Sequence, residues 1–197
     1  MKDKAFCDKL IKFLGIGKEA FGDLYSRLEP QELSKHEYVL QENEVCNCIG
    51  LVSKGSLRTF YVNENGDETT FLFHFNHELE DFVFTDYESF LMRNSSRLNI
   101  QALEDSTVYF IYYNDWQALL SSGAYWQEFS KRMTEKVFLA AKRRVEDLLY
   151  YSPESRYQKL LQENPLVFQI FPQKYIASYL GITPQSLSRI RKRIAVN

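Results

Sequence analysis

The sequence predicts an α+β chain: a β unit flanked by short helices, one long helix, and a small helical end. Three observations predict it. Apolar spacing is helical up to Glu29-Pro30, alternates in short runs from His36 to about Tyr113, and becomes helical again after Asn114-Asp115. Roughly 28 residues, Ala124 to Tyr151, then pass without Gly or Pro. Last, two short helical stretches meet at Gly181-Ile-Thr183.

The first residues read as two short helices, with Leu10, Ile11 and Leu14 on one stripe and Phe21, Leu24 and Leu28 on another. Pro30 ends them. In the β unit, Gly55 follows the run Ile49 to Val52 and precedes Leu57 to Val62, which predicts a tight turn between two strands. Asn65-Gly66 tolerates positive φ and predicts a hairpin turn into Thr69 to Phe75. Phe71, Phe73 and Phe75 alternate, so three rings share one face and read as core.

The long helix would span about 42 Å. Trp126, Phe129, Met133, Val137, Ala140 and Leu148 recur at three- and four-residue steps, with Arg144 interrupting. Such a stripe predicts a homodimer seam through Phe129, Met133, Val137 and Ala140; a long helix buried along one domain is the alternative. Ser152-Pro153 pairs an N-cap with a residue tolerated at the first helical position, so a new domain starts there. The expected divisions are 1–123, 124–151 and 152–197.

Composition narrows the function. Of 197 residues, 45% are hydrophobic and 25% charged, ordinary globular usage that argues against disorder. The longest apolar run, Val108 to Tyr113, is far too short to span a bilayer. Lys9, Lys12 and Lys18 break up any signal-peptide-like stretch, so the expected location is the cytoplasm. The formal net charge of −2 conceals an asymmetry: residues 153–197 hold seven Lys or Arg against two acids, leaving −7 on the rest. Anion binding, if present, belongs to the C-terminal end.

Cys7, Cys46 and Cys48 are too few for a disulfide framework and fit a reducing compartment. Cys46-Asn-Cys48 has no partner pair at zinc-like spacing, so no metal or other cofactor is expected and the thiols read as buried or edge-strand residues. No Ser/His/Asp or Cys/His set and no phosphate-cradling glycine loop is visible, which points away from an enzyme.

The chemistry lies at the end of the chain. Gln173 to Leu180 reads as a helix with Ile176 and Leu180 on one face, and Gly181 stands where a left-handed residue closes a helix. Thr183 then caps a second helix with Pro184 in its first position, which makes a helix-turn-helix. Leu187, Ile190 and Ile194 face the core, whereas Gln185, Ser188, Arg189 and Lys192 form an acid-free face able to read base edges of double-stranded DNA. Arg189 suits guanine and Gln185 suits adenine. Gln173, Lys174, Thr183, Arg191 and Arg193 are placed to hold phosphates. A ligand-binding or protein-interaction module whose helix-turn-helix does not read DNA is the rival.

Three segments carry a family resemblance: Ile49-Gly-Leu-Val-Ser-Lys-Gly-Ser-Leu-Arg58, Ala102-Leu-Glu-Asp-Ser106, and the string from Ile176 to Ile190. With this order of parts, the chain resembles the Crp/Fnr family of bacterial transcription regulators. The resemblance implies a double-stranded β-helix (a jelly-roll-like β-roll) as sensor, a dimerisation helix, and a DNA-binding domain that recruits or blocks RNA polymerase. Family members that bind cyclic AMP carry a Gly-Glu pair and an Arg-Ser pair in the phosphate cassette. Here the first falls in Phe84-Thr-Asp-Tyr87 without glycine, and the second near Ser95-Ser96-Arg97 in reversed order. The family's adenine-contacting hydroxyl pair falls at Ala141-Lys142, where both hydroxyls are absent. Asp86, Ser96, Arg97, Ala141 and Lys142 are thus the candidate effector pocket, with the effector unidentified and cyclic AMP not expected. Three cysteines also exclude the family's four-cysteine iron–sulfur variant. Only Ile194 to Asn197 follow the second helix, so a truncated wing is expected, with its phosphate contacts left to Arg191, Lys192 and Arg193.

Overall fold

The computed structural model describes residues 4–77 and 81–196. Two helices, α1 (Lys4–Leu14) and α2 (Lys18–Tyr25), lead into strands β1 (Glu29–Leu33), β2 (Tyr38–Leu40), β3 (Cys48–Lys54), β4 (Ser56–Val62), β5 (Glu68–Phe75) and β6 (Val83–Phe84). A short helix, α3 (Tyr87–Met92), precedes β7 (Asn99–Ala102) and β8 (Ser106–Tyr112). Helices α4 (Tyr113–Ser121), α5 (Ala124–Tyr150), α6 (Pro153–Glu163), α7 (Val167–Ile170), α8 (Gln173–Tyr179) and α9 (Pro184–Val196) complete the chain.

The strands form two four-stranded sheets, ordered β1-β8-β3-β6 and β2-β7-β4-β5. Apart from the β4–β5 hairpin, neighbours in the lists are distant in sequence, as in a β-roll. Strand β1 lies before the expected start of the β unit at His36, at the Glu29-Pro30 pair expected only to end the helices, and Pro30 cannot donate to a ladder. It survives as an edge strand pairing with β8 alone, where Pro30 stands opposite Tyr109. Gly55 makes the β3–β4 turn at φ +88, and a Cβ there would fall 2.2 Å from the Ser106 hydroxyl. Of the three alternating rings, Phe73 and Phe75 are buried, whereas Phe71 is half-buried beside Tyr61.

The chain divides into two compact units. The first holds Met1–Thr59 and His74–Gly123. Its core includes Leu10, Val52, Leu57, Phe82, Phe84, Phe90, Ile100 and Val108. Burying each such side chain stabilises the fold by roughly 1.5–3 kcal/mol. The apolar stripe of α1 closes on that core, with Phe6 stacked on Tyr109 at 5.0 Å and Phe13 tilted against Phe82 at 4.6 Å.

The second unit holds Ala124–Asn197 together with Phe60–Phe73, the end of the β4–β5 hairpin. The sequence division at 123 assigns that hairpin to the β unit. Its turn follows the expected chemistry: Gly66 has φ +83, and the Asn63 side-chain oxygen accepts from the amides of Asn65 and Asp67. In this unit the Ser178 hydroxyl donates to Glu68 O and accepts from the Thr70 amide, both at 2.9 Å, while Phe73 lies against Phe171 and Tyr179. Tyr157, Val167, Phe171, Ile176, Leu180, Leu187 and Ile190 form its core.

Candidate nucleic-acid interface

The turn between α8 and α9 is built by local hydrogen bonds. Gly181 has φ +67; its amide donates to Ser178 O, and the next amide, of Ile182, reaches back to Ala177 O. This paired closure satisfies the last carbonyls of α8 and needs a left-handed residue at position 181. Thr183 opens α9: its hydroxyl accepts from the Ser186 amide at 3.2 Å and donates to the Ser186 hydroxyl at 3.0 Å. That hydroxyl caps the helix start, and a phosphate at Thr183 would compete with Ser186 for its proton.

The two faces of α9 separate as expected. Leu187 and Ile190 are buried and Ile194 is half-buried, whereas Gln185, Ser188, Arg189 and Lys192 are all exposed. Gln173, Lys174 and Arg191 are also exposed. Arg193 forms an ion pair with Glu154 at 3.1 Å, so a phosphate would have to compete with that carboxylate. Lys174 sits with its ammonium 4.5 Å from the Tyr175 ring centre.

Two arginines brace this motif, and sequence periodicity gave no sign of either role. Arg144, which interrupts the apolar stripe of α5, is buried with its guanidinium 3.8 Å over the Tyr179 ring and donates to Tyr179 O. Arg156 donates to Leu180 O at 3.0 Å, Tyr151 O at 2.7 Å and Leu148 O at 3.2 Å, thereby collecting carbonyls at the ends of α8 and α5. Helix C-termini attract cations because their last carbonyls lack partners.

The stripe on α5 needs correction. Phe129 is only 4% exposed and lies edge-on to Trp126 at 5.5 Å, so it belongs to the core of its own chain and not to a dimer seam. Met133 and Ala140 are half-buried, and Val137 is exposed. A second stripe is freely exposed: Phe138 (64%), Ala141, Val145 (53%) and Leu148, with Leu149 beside it. Steps of three, four and three residues are those of a coiled-coil seam.

Asp86 and Ser96, within the first unit, do not form an anion clamp. Asp86 caps α3 by accepting from the Ser89 amide at 3.2 Å, and it accepts from the buried Ser96 hydroxyl at 2.6 Å. Asp86 and Ser96 are thus brought together and satisfied by each other. Arg97 is exposed, and Ala141 and Lys142 are exposed on α5, with Lys142 paired to Glu146. The arginine attached to the α3 segment is Arg93, which lies 4.1 Å over the Tyr113 ring and donates to Cys46 O at 2.8 Å.

Residues 30–122 match the family described as Cyclic nucleotide-binding domain. No curated protein matches the sequence. Among solved structures, FixK2 from Bradyrhizobium japonicum superposes with a TM-score of 0.73 at 18% identity, covering 86% of this chain and 85% of that one. A transcriptional regulator assigned to the Crp/Fnr family, from Eubacterium rectale, gives 0.69 at 19% identity, covering 92% and 85%. The cyclic-di-GMP-responsive regulator CLP from Xanthomonas campestris gives 0.65 at 12%, covering 91% and 92%. The chain shares the fold of these solved structures. In that fold, residues 30–122 correspond to the cyclic nucleotide-binding domain, and α8 and α9 form the C-terminal helix-turn-helix. Among the described residues, no helix is long and apolar enough to cross a membrane.

Proposed function

We propose that this protein is a sequence-specific, double-stranded-DNA-binding transcription regulator that acts as a homodimer. One observation carries the reading: α9 buries Leu187 and Ile190 while exposing Gln185, Ser188, Arg189 and Lys192 with no acid among them. A helix capped at its start by Thr183 and held by Arg156 at the preceding turn is a rigid reader, and such a helix fits the major groove. Gln173, Lys174 and Arg191 would set register on phosphates, with Arg193 joining them once released from Glu154. RNA polymerase is the partner that this function implies, and the bacterial cytoplasm its location.

The effector, where one acts, is not cyclic AMP. A cyclic phosphate needs a cation and close backbone approach, whereas the corresponding segment offers the Asp86 carboxylate, already bonded to Ser96. CLP, whose fold is similar, responds to a different cyclic nucleotide.

The rival is a module whose helix-turn-helix only packs. A gel-shift survey of genomic fragments with the full chain separates the two. Discrete fragments retained at physiological salt are the expected result, and retention of none, or of all alike, would overturn the reading.

A further inference from the structure

Arg144, in the second half of α5, is a cation only 8% exposed. Its guanidinium lies 3.8 Å from the centre of the Tyr179 ring and donates to Tyr179 O, while its buried Nε has no hydrogen-bond partner among the described residues. Phe73 lies against the same ring at 5.3 Å, so Tyr179 is held by two neighbours. For packing alone this arrangement is unfavourable. A cation is taken out of water against a ring face and a carbonyl, where an apolar side chain of similar volume would fill the space without that penalty. What the arginine adds is direction: a planar fork stacked on a ring and bonded to the carbonyl of the same residue fixes Tyr179 in both distance and orientation.

The position so fixed is the approach to the exposed face of α9. Tyr179 closes α8 immediately before the turn at Gly181. A Cβ built on Gly181 would stand 3.4 Å from Leu148 Cδ2 and 3.7 Å from the Arg156 guanidinium, so the turn rests on the end of α5. Lys159 pairs with Asp147 at 2.6 Å and Arg193 with Glu154 at 3.1 Å, linking α5 to α6 and α6 to α9. Both pairs are partly exposed, and such pairs contribute little. Arg144 is the buried cation of this junction. It reaches α8 from the same helix that offers Phe138, Ala141, Val145 and Leu148 to a second copy.

We propose that Arg144 is a positioning residue that sets the spacing between the two half-sites by fixing α9 relative to the seam of α5; the inference rests on the dimeric DNA-binding function proposed above. With the two copies related by an axis through that seam, any displacement of α9 relative to α5 occurs in both readers at once. One base pair more or less between half-sites moves one of them by about 3.4 Å and turns it by about 35°. Readers held by a buried stack do not follow that change, whereas loosened readers do. Base choice within a half-site belongs to Arg189 and its neighbours on α9 and does not depend on Arg144.

The test uses the full chain, parent and Arg144→Met, on the duplex that the parent selects from a random library, with the half-site spacing as selected and one base pair longer or shorter, and on a duplex with a single half-site. Fluorescence anisotropy reads affinity, sedimentation velocity the dimer, and thermal melts the fold. The parent should lose about tenfold or more at either altered spacing and Arg144→Met about threefold or less, with single-half-site affinity and base preference as in the parent. Because Arg144→Met keeps most of the side-chain volume without the charge, its melting temperature should equal or exceed the parent's. Arg144→Lys, which keeps the charge without the planar fork, should give a spacing profile between the two. A spacing penalty in Arg144→Met equal to the parent's would overturn the proposal and leave DNA binding standing. So would a lower melting temperature with affinity lost on all duplexes alike, the mark of a merely structural role. Enrichment of no sequence by the parent would overturn both readings.

Discussion

At the scale of single residues, Arg189 and Lys174 should behave differently although both are exposed cations. Arg189 stands on the exposed face of α9, where under the proposed function a bidentate contact to guanine would discriminate bases; Lys174 stands at the start of α8, where it would meet phosphate. Arg189→Ala is expected to cost roughly 1–3 kcal/mol on the preferred site and to relax one base position, whereas Lys174→Ala should weaken all sequences alike and lower the salt slope by about one. Anisotropy titrations on matched and scrambled duplexes at several salt concentrations measure both. His74 gives a separate prediction for stability. It is buried with its ring 2.8 Å from the Thr59 hydroxyl, and burial lowers its pKa from 6.5 to about 4. The unfolded chain then binds a proton that the folded chain refuses, so this contribution is complete above about pH 6.5 and is lost as pH falls through about 4. The difference is about 3 kcal/mol. Melts from pH 7 to pH 4 should show the parent losing more stability than His74→Gln.

At the scale of elements, the most legible part was the helix-turn-helix, because Gly181, Thr183 and Pro184 act on their own neighbours and their effect is local. The β3–β4 and β4–β5 turns were legible for the same reason. What the pattern did not carry was tertiary. Pro30 suggested a break because sequence cannot tell an edge strand from a loop. Arg144 looked like an interruption of an apolar stripe because its long side chain and the Tyr179 face that receives it are 35 residues apart. Asp86 and Ser96 were read as ligand contacts, whereas their mutual hydrogen bond is invisible in a one-dimensional string. Helix α5 shows the consequence most clearly: one stripe, with Trp126, Phe129 and Arg144, is buried in its own chain, and a neighbouring one, with Phe138, Ala141, Val145 and Leu148, is left bare. An exposed seam at heptad steps implies a second copy of the helix. Val145→Glu should shift the chain from dimer to monomer in sedimentation velocity at micromolar concentration, while Arg132→Glu, on the opposite face of the helix, should leave the dimer intact.

At the scale of the whole molecule, charge and symmetry constrain how the proposed DNA binding would work. Residues 153–197 carry a surplus of five cations and the remainder a net charge of −7, so under the proposed function DNA contact is confined to the helical end. One such end offers few phosphate contacts; two, related by a dimer axis, offer twice as many and a matching symmetry in the site. The resulting binding should be strongly salt-dependent. Two α9 helices in successive major grooves require half-sites about 34–36 Å apart, one turn of the duplex. Binding-site selection from a random duplex library with the full chain, followed by footprinting of the winning sequence, tests this most directly. The account predicts an inverted repeat with two protected half-sites about 10–10.5 base pairs apart, lost in Arg189→Ala. Failure of any sequence to enrich, or an enriched site unaffected by that change, would contradict it.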